Sequence, residues 1–72
     1  MPWIDVPNVD SSNIAALRYH EEDQVMEVTF QGGGVYQYFG VPQNVWQGML
    51  DAPSKGSYLH TNIKGAFRYT RV

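Results

Sequence analysis

Two groups of side chains in this sequence suit recognition chemistry: tyrosines at close spacing, and cations gathered near one end. Tyr36 and Tyr38 flank Gln37, and Tyr69 stands between Arg68 and Thr70. Aromatic rings on a sheet surface hold single-stranded RNA by stacking its bases, at about 1–3 kcal/mol per base. Lys55, Lys64, Arg68 and Arg71 supply charge for phosphate. Residues 54–72 hold these four cations and no acid, whereas residues 1–53 hold all seven acids and only Arg18. A basic end therefore sits on an acidic body, in a chain whose overall net charge is −2. Four cations also set a ceiling. If each met a phosphate, the slope of log affinity against log salt would be roughly −3 to −4, which is weak binding on charge alone.

Other constellations carry less. His20-Glu21-Glu22-Asp23 contains metal-ligand types, but hard cations want several converging oxygens and zinc wants more nitrogen or sulfur. Adjacent acids in a turn read as solvated. His20 and His60 titrate near neutral pH, yet neither has a spaced partner of the kind a general base needs. Ser54 beside Lys55 is not the geometry of a base reaching a nucleophile. Gln31-Gly32-Gly33-Gly34 lacks the lysine, the spacing and the following helix of a phosphate loop. There is no cysteine, which excludes disulfides and thiolate chemistry. A catalytic site, a metal and a cofactor are therefore not expected.

The elements that must position the tyrosines start from residues 25–39. Seventy-two residues make one small domain, whose folding buries only about 60% of the unfolded surface. Ten aromatic residues can fill so thin a core, and dimerisation is another way to gain buried area. Val25 to Phe30 alternates, with Met26, Val28 and Phe30 facing the core and Glu27 and Thr29 away. Gly32 to Gly34 supply a hairpin turn. A two-residue loop would set Thr29 opposite Tyr36 and turn both tyrosines away from the Met26 row. A three-residue loop ending in a bulged glycine sets Phe30 against Gly34 and Val28 against Tyr36, which brings both tyrosines into the core. The second register is preferred because it groups the apolar rings and leaves Gln37 on the wetter face.

Ile14 to Tyr19 reads as a preceding strand, with Ala15, Leu17 and Tyr19 on one side and Ile14, Ala16 and Arg18 on the other. After Pro42, a residue favoured in a first helical turn, Val45, Trp46, Met49 and Leu50 form one apolar stripe. Gly48 weakens this helix by roughly 1 kcal/mol relative to alanine, and Pro53 stops it. Ser54 or Ser57 caps a second helical segment in which Tyr58, Leu59, Asn62, Ile63, Ala66 and Phe67 repeat the same spacing, with an end or bend at Gly65. Phe67 to Val72 alternates and suits an extended tail or short edge strand. Residues 1–10, with Pro2 and Pro7, read as an extended lead-in that tucks Trp3 and Ile4 against the core. The expected fold class is thus α+β: a three-stranded antiparallel β-meander with two short C-terminal α-helices packed on one face, spanning residues 11–72. No apolar run approaches the roughly 20 residues of a membrane span. The opening ten residues lack the basic start and apolar run of a signal peptide, so a cytoplasmic protein is expected.

The ordered set of residues resembles a known family. Ser12-x-Ile14 with Tyr19, Val28-x-Phe30, the glycine turn, Tyr36-x-Tyr38, Val41-Pro42, Ala52-x-Ser54-x-Gly56-x-Tyr58, Ile63 and Tyr69 come in the order of the KTSC domain. That small module is named for its place at the C-terminus of some lysyl-tRNA synthetases, and it also occurs as a stand-alone bacterial or phage protein. The resemblance implies a central Y-x-Y motif, here Tyr36 and Tyr38, and a function proposed to be RNA or tRNA binding. Gly65 and Ala66 replace the charged or larger residues the family often carries there, which lowers the local positive charge. A non-catalytic binding module is expected, with RNA as partner, and a protein partner or homodimer as the alternative. The candidate surface is Tyr36, Tyr38, Lys55, Lys64, Arg68, Tyr69 and Arg71.

Overall fold

Alternation and turn chemistry set the middle of the fold. The computed structural model describes residues 3–6, 9 and 11–72. The strands are β1 Ile4–Val6, β2 Ile14–His20, β3 Val25–Phe30, β4 Val35–Phe39 and β5 Arg68–Arg71. Between β4 and β5 lie helix α1, Gln43–Asp51, and helix α2, Lys55–Tyr58, which runs on into a π-helical turn over Leu59–Ile63. All neighbouring strands pair antiparallel in the order β1-β2-β3-β4-β5. The class is α+β, but the sheet of the described residues has five strands where three were expected. One addition, Ile4–Val6, is a strand where an extended lead-in is expected; the other, Arg68–Arg71, takes the edge-strand option open to the tail and completes the sheet after the helices, so those helices are not C-terminal.

The β3–β4 hairpin takes the register preferred above. Val28 pairs with Tyr36 and Met26 with Tyr38. Phe30 N–H donates to Gly34 O at 2.8 Å and Gly33 N–H to Phe30 O at 2.9 Å, which closes a three-residue loop. Gly33, at φ +100°, takes the left-handed position such a loop demands.

In β2 the simple alternation fails at one point. The register shifts between Ile14 and Ala16, a bulge at Ala15, so Ile14 joins Leu17 and Tyr19 in the core instead of facing away. These three, with Met26, Val28 and Tyr38, meet Val41, Trp46 and Met49 of the α1 region and Leu59 and Ile63 of the π-helical turn. Both helical segments thus cover one face of the sheet. The Tyr19 ring stacks on Trp46 at 5.0 Å and 10°, and its hydroxyl donates to Val41 O at 2.6 Å. Burial, then the charge of Glu21, pushes the Tyr19 hydroxyl above its ordinary pKa, so it stays a donor. Pro42 occupies the cap position of α1 and not its first turn. Ser54 caps α2, its Oγ accepting from Ser57 N–H at 3.3 Å.

No helix among the described residues covers the opposite face. There the register aligns Asp5, Arg18, Glu27, Gln37 and Thr70 across all five strands. Arg18 donates to both carboxylate oxygens of Glu27, at 2.6 and 3.1 Å, and Gln37 Nε2 donates to one of them at 2.9 Å. Trp3, expected against the core, instead lies 4.2 Å from the Arg18 guanidinium, edge-on to His20. Ile4 is 44% exposed.

Candidate functional site

Position along the sheet decides which side chains can work. The residues buried by the helical segments come from β2, β3 and β4, whereas every residue of β5 is exposed. Beyond the helices the helix-side row continues as Tyr36 opposite Arg71 and Tyr38 opposite Tyr69. The result is a cleft of about 630 Å³ between this row and the end of the π-helical turn, where Lys64 stands.

Three tyrosines and Phe30 build its wall. Ring centroids are 5.5 Å apart for Phe30–Tyr36, 5.8 Å for Tyr36–Tyr69 and 5.6 Å for Tyr38–Tyr69. Lys64 Nζ lies 5.5 Å from the Phe30 centroid and the Arg71 guanidinium 5.9 Å from Tyr36, both within cation–π range. The rings are not equivalent. Tyr38 is 3% exposed and belongs to the core, Tyr36 is half-buried, and Tyr69 is 58% exposed. Burial first, then the neighbouring Tyr69 and Tyr36, raises the Tyr38 hydroxyl above its ordinary pKa and keeps it neutral.

Five of the seven expected residues therefore meet: Tyr36, Tyr38, Lys64, Tyr69 and Arg71. The other two do not. Lys55 Nζ donates to Leu50 O at 3.1 Å and Ala52 O at 3.3 Å, tying down the end of α1. Arg68 pairs with Phe39 and alternates onto the opposite face from Tyr69.

A second, polar cleft of about 940 Å³ adjoins the first and shares Phe30, Gly32 and Lys64 with it. It lies where the start of β2 meets α2, with Gln31 N–H donating to Asn13 O at 2.8 Å to hold the hairpin beside it. Two of its hydroxyls serve the backbone: Ser11 Oγ accepts from the N–H groups of Asn13 and Ile14, and Ser54 Oγ from that of Ser57. Ser12, Asn13, His60 and Thr61 remain exposed along it. The sequence suggests no more than turn or capping chemistry for residues 11–13 and a capped linker for 54–57. The signal available was that both are rich in short polar side chains; their meeting is a product of topology.

Charge is sorted between surfaces. Among the described residues no aspartate or glutamate lines either cleft. The acids of the β2–β3 turn, Glu21, Glu22 and Asp23, are exposed elsewhere, with Glu21 accepting from Gln43 and Asp23 beside His20. Among the described residues no group of three side chains suited to a metal forms, and no helix is long and apolar enough to cross a membrane.

These features define a small α+β domain whose antiparallel sheet carries two helical segments on one face. The model of the KTSC domain matches residues 10–67, and the chain belongs to that family. It superposes on the crystal structure of a KTSC domain protein from Yersinia pestis with a TM-score of 0.92 at 34% identity, covering 99% of each chain. A lysine–tRNA ligase from a Nostoc species is 41% identical over 63 residues, 88% of this chain, but the chain spans only 11% of that ligase. An uncharacterized protein from Stutzerimonas stutzeri is 37% identical over 65 residues, covering 89% of this chain and 92% of its own length.

Proposed function

We propose that the chain is a non-catalytic module that binds single-stranded RNA, transfer RNA included, at the tyrosine cleft. The observation that carries this is the exposed Tyr69 ring, backed by Tyr36 and Tyr38 and flanked by Arg71 and Lys64, on a surface from which the described acids are absent. A base stacks on Tyr69, and phosphate is met by Arg71 and Lys64. The presence of a related segment in lysine–tRNA ligases supports RNA as the partner. With two cleft cations instead of four, the slope of log affinity against log salt for a single strand becomes about −1.4. That suits an accessory contact better than an independent binder.

The test is fluorescence anisotropy with single-stranded RNA and transfer RNA at low salt. Tyr69→Ala is expected to weaken binding about 5- to 150-fold, the equivalent of the stacking term. Lys64→Ala/Arg71→Ala is expected to flatten the salt dependence. Equal affinity of wild type and Tyr69→Ala, or no binding by either, overturns the reading.

The alternative, a protein partner or a second copy, rests on β5, an exposed edge strand with Val72 62% exposed beyond it. Strand addition there is opposed by Arg68 and Arg71, because a self-paired edge brings like charges together. A concentration-dependent dimer without RNA affinity would favour this reading instead.

A further inference from the structure

We infer that the ligand site is bipartite and that its unit is a two-nucleotide step: one base in the tyrosine cleft, the linking phosphate at Lys64, and the adjoining nucleoside in the polar cleft. The inference rests on the RNA reading above and specifies what that site takes. Three observations lead to it. The two clefts adjoin, sharing Phe30, Gly32 and Lys64, and Lys64 follows directly on the π-helical turn. Each, at about 630 and 940 Å³, lies within the size range of pockets for small organic ligands, so each suits one nucleotide. Lys64 is an exposed residue that forms no ion pair among the described residues, and its Nζ lies 5.5 Å from the ring of Phe30, which both clefts share.

The linings then divide the work. The tyrosine cleft offers ring faces, which accept any base. The polar cleft offers the Asn13 amide, the Ser12 and Thr61 hydroxyls and the His60 imidazole, donors and acceptors of the kind that read base edges and a ribose 2′-hydroxyl. Lys55 takes no part, since its ammonium is held by carbonyl groups of the α1 end. Sequence preference and the choice of RNA over DNA therefore reside in the second nucleotide and not in the stacked one. The π-helical turn is consistent with this placement, because such turns are rare and recur at functional sites.

Titration of the isotope-labelled full chain with a ribonucleoside monophosphate, the matching RNA dinucleotide and the DNA dinucleotide, followed by NMR, tests the assignment. The monophosphate is expected to shift resonances of Tyr36, Tyr69 and Arg71. The RNA dinucleotide should also shift Asn13, His60 and Thr61 and bind at least about tenfold more tightly, with the DNA dinucleotide intermediate. Asn13→Ala/Thr61→Ala, two exposed positions, should bring the dinucleotide down to the monophosphate's affinity and leave the monophosphate unaffected. If mono- and dinucleotide bind alike, or all shifts stay in the tyrosine cleft, the bipartite site is wrong while RNA binding stands. If no RNA produces shifts anywhere, both readings fall.

Discussion

Replacing Gly48 with alanine sets helix propensity against packing. In an exposed helix interior the change stabilises by about 1 kcal/mol. Here a Cβ on Gly48 would overlap the Tyr58 hydroxyl and lie 2.9 Å from Cζ and 3.3 Å from Cε2 of the same ring. Tyr58 is half-buried against the core, and its hydroxyl donates to Val45 O at 3.3 Å. The ring sits between α1, which it bonds, and its own segment, so moving it sacrifices that bond. Overpacking costs about 1–3 kcal/mol and the hydrogen bond about 0.5–1.5 kcal/mol. After subtracting the propensity gain, Gly48→Ala should destabilise by about 0.5–3.5 kcal/mol. For a domain of this size each kcal/mol shifts Tm by roughly 4–8 °C. Thermal and urea unfolding of four proteins checks the sign: wild type, Gly48→Ala, Tyr58→Ala and the double variant. Removing the ring removes the clash, so in the Tyr58→Ala background the same methyl should stabilise by about 1 kcal/mol. A Tm that rises in the wild-type background, or falls equally in both, refutes the reasoning.

Glu27 gives a pH prediction. Burial alone would raise its carboxyl, but hydrogen bonds from Arg18 and Gln37 and the Arg18 charge outweigh burial and hold it below its ordinary range. A lowered folded-state pKa means the stabilisation is complete above the unfolded value, about pH 4.3, and is lost as pH falls through the folded one. Tm measured from pH 7 to 3 should therefore fall less steeply for Glu27→Gln than for wild type. Tyr19→Phe should lower the urea midpoint without changing the slope, by the equivalent of about 1–3 kcal/mol, because the buried Val41 carbonyl loses its donor at 2.6 Å. Gly34→Ala places a Cβ 3.1 Å from Tyr36 Cε1; it should shift the Tyr36 ring resonances at a stability cost of about 1 kcal/mol, the low end of overpacking.

Residues 25–39 and 43–50 were legible because each carries its own periodicity. The hairpin register followed from loop geometry and from Gln37, which does bond Glu27 on the uncovered face. Ile14 was misplaced because a bulge leaves no mark in a run as uniform as Ile14-Ala15-Ala16-Leu17. The strand Ile4–Val6 lies between prolines, is three residues long and buries little, so nothing local distinguishes it from coil. Of the candidate surface, the face of Tyr36 and Tyr38 follows from the hairpin register, but the placement of the cations was not readable. Lys55 and Arg68 look no different from Lys64 and Arg71 until the end of α1 and the pairing of β5 are known.

The contribution of β5 bears on why that cleft exists. The strand buries none of its four side chains and adds no residue to the core. What it adds is pairing with β4 and partial cover, by Tyr69 over Tyr38 and Tyr36 and by Arg71 over Tyr36. A strand kept for packing alone would carry apolar residues on its inner face at both positions, 69 and 71. This one carries Tyr69 and Arg71, a ring 58% exposed and a guanidinium held against Tyr36. Antiparallel pairing fixes both opposite Tyr36 and Tyr38, residues more than thirty positions earlier. The sheet edge thus converts two scattered tyrosine-bearing segments into one surface, and it does so beyond the reach of the helices that would otherwise bury it. The row that begins as core at Tyr38 thus ends in solvent at Tyr69, and burial is graded along it.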